Sequence, residues 1–210
     1  MLIPAQVDRG GATLDLGGGE FLIAEPLVVP KNNGNLVLRG GTLRASDGFP
    51  ADRFLVEVGE DGCGADEQKV CNEFIVIEDL MFDAAHVAAG GVRVATTMGT
   101  TITSSFFTGF VEAGVRVMEG HETMASVGVV SSTRVEGSAL PQVSDCWLAE
   151  YYWDEAPAEG SESIGIDIHG QDNYLNNVIV FDFEGLRLHE PTLVRDLPAG
   201  GARLMQEAEG

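Results

Sequence analysis

Helical periodicity is almost absent from this 210-residue sequence, which leaves an all-β architecture. Basic residues are scarce too: 12 Lys and Arg stand against 33 Asp and Glu, a formal charge of −21 at pH 7. A phosphate backbone needs a basic footprint, so nucleic acid is excluded as a partner. Docking on an anionic membrane surface is excluded on the same ground. No apolar run approaches the roughly 20 residues of a membrane span. The stretch from Met1 to Arg9 lacks a charged segment followed by a long apolar one, so no signal peptide is expected. Cysteines number three, without the CxxC spacing of a zinc site. Cys63 and Cys71 flank a short polar loop; a disulfide there would suit a secreted protein, and three ordinary thiols fit equally well. Cys146 has no obvious partner. Nucleotide loops, Ser-His-Asp spacing and Cys nucleophile signatures are absent.

What the sequence has is glycine and short β-type runs. Gly is 27 of 210 residues, and hydrophobic residues are 44%, enough for a globular core. Alternating apolar runs such as Phe21-Leu22-Ile23, Leu36-Val37-Leu38, Phe54-Leu55-Val56-Glu57-Val58 and Phe74-Ile75-Val76-Ile77 are closed by Gly, Asn or Asp. One pattern, Gly-apolar-x-apolar, recurs at Gly91-Val92-Arg93-Val94, Gly114-Val115-Arg116-Val117, Gly165-Ile166-Asp167-Ile168 and Gly185-Leu186-Arg187-Leu188. The copies are separated by 23, 51 and 20 residues. A period near 20 to 25 with several strands per period is the mark of a solenoid. The expected fold is a right-handed parallel β-helix of about eight or nine coils; a β-sandwich is the rival, weakened by the scarcity of hairpin pairs such as Asn33-Gly34. Residues 1–189 are expected to form one such domain. The 51-residue gap holds either two coils or one coil with a foreign stretch, and Val127 to Ser144 reads as an inserted loop. Residues 190–210 read as a divergent tail or partial cap, with a short helix at 202–208.

Six blocks, in order, resemble the plant QUARTET-type polygalacturonases and their pectin-lyase-like relatives. They are Leu14 to Ile23, Gly41 to Ser46, Phe82 to Gly91, Gly120-His121-Glu122, Glu150-Tyr151-Tyr152-Trp153, and Ile168 to Tyr174 followed by Asn177 to Phe181. The resemblance runs from about residue 12 to 183 and is interrupted at Val127 to Ser144. It implies a pectin-lyase-like solenoid that is incomplete at its C-terminal side, secreted to a cell wall and acting on polygalacturonan. The glycosidase pattern general to that superfamily (Asn-Thr-Asp, Asp-Asp, Gly-His-Gly, Arg-Ile-Lys) is absent, so no catalytic residue transfers directly.

Hydrolysis of a glycosidic bond needs two carboxyl groups, one protonating the leaving oxygen and one activating water or attacking carbon. On a β-helix they would come from neighbouring coils, facing outward on one sheet. Four patches qualify. Glu150 and Asp154 flank Tyr151, Tyr152 and Trp153, an acid-base pair beside a sugar-stacking wall, or a corner with solvated acids. Asp167, His169 and Asp172 form a candidate acid-base cluster on an outward face, or a hydrogen-bonded turn. His121 and Glu122 fall on the coil adjacent to Glu150 if Val127 to Ser144 is an excursion; a corner histidine is the alternative. Asp83 and His86, among small residues, are either substrate-binding or a packed corner. A fifth feature is the outward column Arg93, Arg116, Asp167 and Arg187. Arginine forks bind carboxylates, and every galacturonate carries one; the alternative is a salt-bridge ladder.

The expected function is a polygalacturonase-like glycoside hydrolase acting on an acidic polysaccharide, as a monomer. The alternatives are a non-catalytic carbohydrate-binding or structural β-helix, a truncated inactive family member, and a polysaccharide lyase. No cofactor or metal is expected; calcium is weakly supported, because no EF-hand spacing or Gly-Gly-x-Gly-x-Asp repeat occurs.

Overall fold

The computed structural model describes residues 11–31, 33–59, 72–95, 97–121 and 164–171, and the short strands named below between and after them. Cys63, Cys71 and Cys146 lie outside the described residues. The strands, in chain order, are β1 (Ala12–Ile23), β2 (Leu27–Val29), β3 (Asn33–Ala45), β4 (Phe54–Val58), β5 (Asn72–Asp83) and β6 (Gly90–Ala95). Then come β7 (Thr97–Met98), β8 (Thr101–Thr103), β9 (Phe106–Thr108), β10 (Ala113–His121), β11 (Gln142–Ser144) and β12 (Trp147–Ala149). The last are β13 (Ile164–Gln171), β14 (Asn173–Asn176), β15 (Ile179–Phe181), β16 (Leu186–Leu188), β17 (Thr192–Arg195) and β18 (Leu204–Gln206). There is no helix among the described residues.

Every pairing between the described strands is parallel, which excludes the β-sandwich and gives the parallel β-helix. One sheet stacks seven strands in the order β18-β16-β13-β10-β6-β4-β2. The other has eleven, from β1 and β3 through β5 to the β8-β11-β14-β17 and β9-β12-β15 rows. The four Gly-apolar-x-apolar copies stack directly in register: Val92 on Val115, Val115 on Ile166, Ile166 on Leu186. The 51-residue interval is therefore one coil, not two, and the described strands of the first sheet number seven. β11, the last three residues of the stretch Val127 to Ser144, pairs with β8 and β14. β17 and β18 continue both sheets beyond residue 190. Leu204–Gln206 is a strand where a helix was expected, because its register with β16 supplies backbone partners that so short a helix would lack.

The core is a set of inward columns. Val56, Val92, Val115 and Ile166 stack on one sheet, as do Val58, Val94, Val117 and Ile168; all are buried. Opposite them stand Leu38, Ile77 and Ile102, then Leu43, Phe82 and Phe107. The Phe82 and Phe107 rings are stacked on successive coils, with centroids 4.7 Å apart and planes at 7°.

Two corners bend the eleven-stranded sheet, and each is a column of left-handed residues. Gly11, Asn35, Phe74 and Gly99 have φ of 72°, 52°, 56° and 69°; Gly40, Asp79 and Ser104 have φ of 73°, 52° and 48°. Glycine takes this conformation freely, whereas Phe74 and Asp79 hold it against a steric cost of about 1–2 kcal/mol. The coil stack imposes it on them, because their neighbours on both sides are locked in register.

Candidate functional site

On the seven-stranded sheet Glu57, Arg93, Arg116, Asp167 and Arg187 occupy one row of the backbone register, each on the coil next to the last. Strand alternation puts them opposite the buried valines and isoleucines, and adjacent coils are about 4.8 Å apart. Within this row Arg116 is held by two carboxylates. Arg116 Nε donates to Asp167 Oδ2 at 3.2 Å, and its Nη1 donates to Glu112 Oε2 at 2.6 Å. Asp167 is buried, with a side chain only 5% exposed. Arg187 lies beside Asp167 in the backbone register.

An earlier coil repeats this arrangement with the charges exchanged. Arg53 Nε donates to Glu57 Oε1 at 2.8 Å and Nη2 to Oε2 at 2.5 Å, while the Phe54 backbone N–H donates to Glu57 Oε1 at 3.1 Å. The Glu57 carboxylate raises the pKa of the Arg53 guanidinium above its ordinary value, chiefly through these hydrogen bonds. Because Phe54 aligns with Gly90 and Gly90 with Ala113, Arg53 and Glu112 occupy equivalent positions, as do Glu57 and Arg116. Glu57, Arg53, Phe54 and Glu112 escape a reading of the sequence. The run Phe54 to Val58 has the right alternation, but Leu55 stands where the other copies have Gly, which hides the repeat.

The other sequence candidates separate into two places. His121, at the end of β10, pairs with Gln171 at the end of β13, which also carries His169. A register shift lies between Val117 and Gly120, so Met118 and Glu119 oppose His169 alone. Such bulges re-aim side chains and are common beside active sites. The backbone thus brings the His121 and His169 patches to one end of two adjacent strands. Glu122, Glu150, Tyr151, Tyr152, Trp153, Asp154 and Asp172 lie outside the described residues.

Asp83 and His86 belong to the other sheet. Asp83 is buried; its Oδ1 accepts the Ala85 N–H at 2.9 Å and its Oδ2 lies 3.4 Å from Arg44 Nε. That turn sets Ala85 and His86 at φ of 53° and 56°, and the His86 N–H donates to Gly109 O at 2.7 Å on the next coil. Both residues serve a packed corner. A shallow groove of about 590 Å³ lies at the second left-handed corner, between Thr42, Asp79, Ser104 and Phe106; none of the sequence candidates lines it. Among the described residues, no three His, Cys, Asp or Glu side chains gather as a metal site. No described helix is long and apolar enough to cross a membrane.

No family model matches the chain, and no solved structure matches it. The polygalacturonase QRT3 of Arabidopsis thaliana is 39% identical to it over 118 residues, 55% of this chain. The chain spans about a quarter of the length of that curated relative, since the match covers 24% of it. The QUARTET-type polygalacturonase-like relationship read from the six sequence blocks is borne out over that segment.

Proposed function

We propose that this β-helix acts on pectic or related acidic cell-wall polysaccharide as a polygalacturonase-like glycoside hydrolase. The observation that carries the reading is the 39% identity to a protein named a polygalacturonase. The row on the seven-stranded sheet supports it, because it puts an arginine fork between a carboxylate of its own coil and one of the next. Arg116 would take the carboxylate of a galacturonate unit. The histidine-bearing end of β10 and β13, with the acids that follow it in the chain, would supply the proton and the activated water. Secretion to a cell wall belongs to the same proposal. The test is release of reducing ends from polygalacturonate by the purified chain between pH 4 and 8. Product is expected, and its absence across that range removes the hydrolase.

A second reading, a non-catalytic carbohydrate-binding β-helix, is favoured by one observation. Glu57, Glu112 and Asp167, the described acids beside the row, are each engaged by an arginine. A carboxylate already held by a guanidinium is not placed to reach a glycosidic oxygen. Binding of polygalacturonate without turnover would select this reading.

A further inference from the structure

The two charge-exchanged pairs differ in which partner faces water. In the Arg53–Glu57 pair the acid is covered, its side chain 9% exposed, and it accepts two arginine N–H groups and one backbone N–H. In the Glu112–Arg116 pair the acid is 44% exposed and accepts one hydrogen bond, while the arginine side chain is 22% exposed. Arg116 does not depend on Glu112 for its position. Its Nε is held by the buried Asp167, and its Cζ lies 5.4 Å from the centroid of the Phe54 ring. Among the described residues the hydrogen bonds of this guanidinium leave Nη2 open.

We propose that Glu112 is a displaceable internal occupant of Arg116, holding the guanidinium until the carboxylate of a uronate sugar replaces it. The inference rests on the polyuronide reading above and names the device that controls this site. Releasing Glu112 costs little, because a half-exposed carboxylate returns to water readily. Releasing Asp167 would strand a buried charge, so it remains and orients the fork. An incoming carboxylate then takes Nη1 and Nη2 together, the bidentate geometry that arginine offers. Arg53–Glu57 is the closed counterpart: there the acid is the buried member and no outside carboxylate can replace it.

The experiment is calorimetric binding of trigalacturonate to the full chain at low salt, with galactotriose as the neutral control. Glu112→Gln is expected to bind trigalacturonate about two- to fivefold more tightly than the parent chain, the range set by an exposed ion pair. Glu112→Ala should do the same. Glu20→Gln removes an equal charge from an exposed acid of the other sheet and should change nothing. Arg116→Lys keeps the charge but loses the fork and should weaken binding. If the parent binds and Glu112→Gln is no tighter than Glu20→Gln, the proposal falls and the polyuronide reading stands. If neither the parent nor Glu112→Gln binds, both fall.

Discussion

The Arg116 guanidinium lies over the Phe54 ring, with Cζ 5.4 Å from the ring centroid, although β6 separates their strands. The contact spans two coils because Gly90, the residue between Phe54 and Ala113, has no side chain to keep the ring away. A Cβ at Gly90 would meet both the Phe54 ring and the carbonyl oxygen of Ala113 closer than atoms approach. Gly90→Ala should therefore displace the ring and loosen Arg116, at a stability cost of about 1–3 kcal/mol. A urea titration measures it; an unchanged midpoint would mean that the ring does not lie where it is described.

Asp167 and Arg116 form a pair with one buried and one mostly covered member. Asp167→Leu should cost about 3 kcal/mol, because it leaves the guanidinium without the carboxylate that offsets its desolvation. Arg116→Met in the Asp167→Leu background should recover much of that loss. A double-mutant cycle in denaturant checks both, and additive losses would contradict the pairing.

Phe107 is fully buried and stacked on Phe82. Phe107→Ala should destabilise the chain by about 3–5 kcal/mol, the range for emptying an aromatic site in a packed core. Thermal unfolding followed by circular dichroism would show it as a clear drop in Tm.

Asp15 carries the acid-side prediction. The backbone N–H of Gly17 lowers its pKa most, and the Arg39 guanidinium lowers it further. A carboxylate with a lower pKa in the folded state stabilises above its unfolded value of about 3.9, and that stability is lost as pH falls through the folded value. The stability gap between the parent and Asp15→Ala should thus be full at neutral pH and close below about pH 4. A gap that widens in acid would contradict the assignment.

The coil register was legible in the sequence because four glycines mark it: the repeat at Gly91, Gly114, Gly165 and Gly185 places Arg93, Arg116, Asp167 and Arg187 in one row, as found. The row's chemistry was not legible. Residues four apart on a strand share a face but stand about 13 Å apart along it, so Glu112 and Arg116 do not read as partners. They meet because Glu112 sits just before β10, where the chain turns into the strand. The corners were hidden for another reason. Asn35, Phe74, Asp79 and Ser104 hold left-handed backbone that their residue types do not announce, so β3 and β5 read as separate short runs. The two histidine patches were legible as chemistry, and only the register of β10 with β13 shows that His121 and His169 share an end of the sheet.

The proposed hydrolysis of an acidic polysaccharide is tested most directly by the release of reducing ends. Purified chain incubated with polygalacturonate between pH 4 and 8 should generate new reducing ends, and the same chain on neutral galactan should generate none. Equal background from both polymers, with no product at any pH, would contradict it.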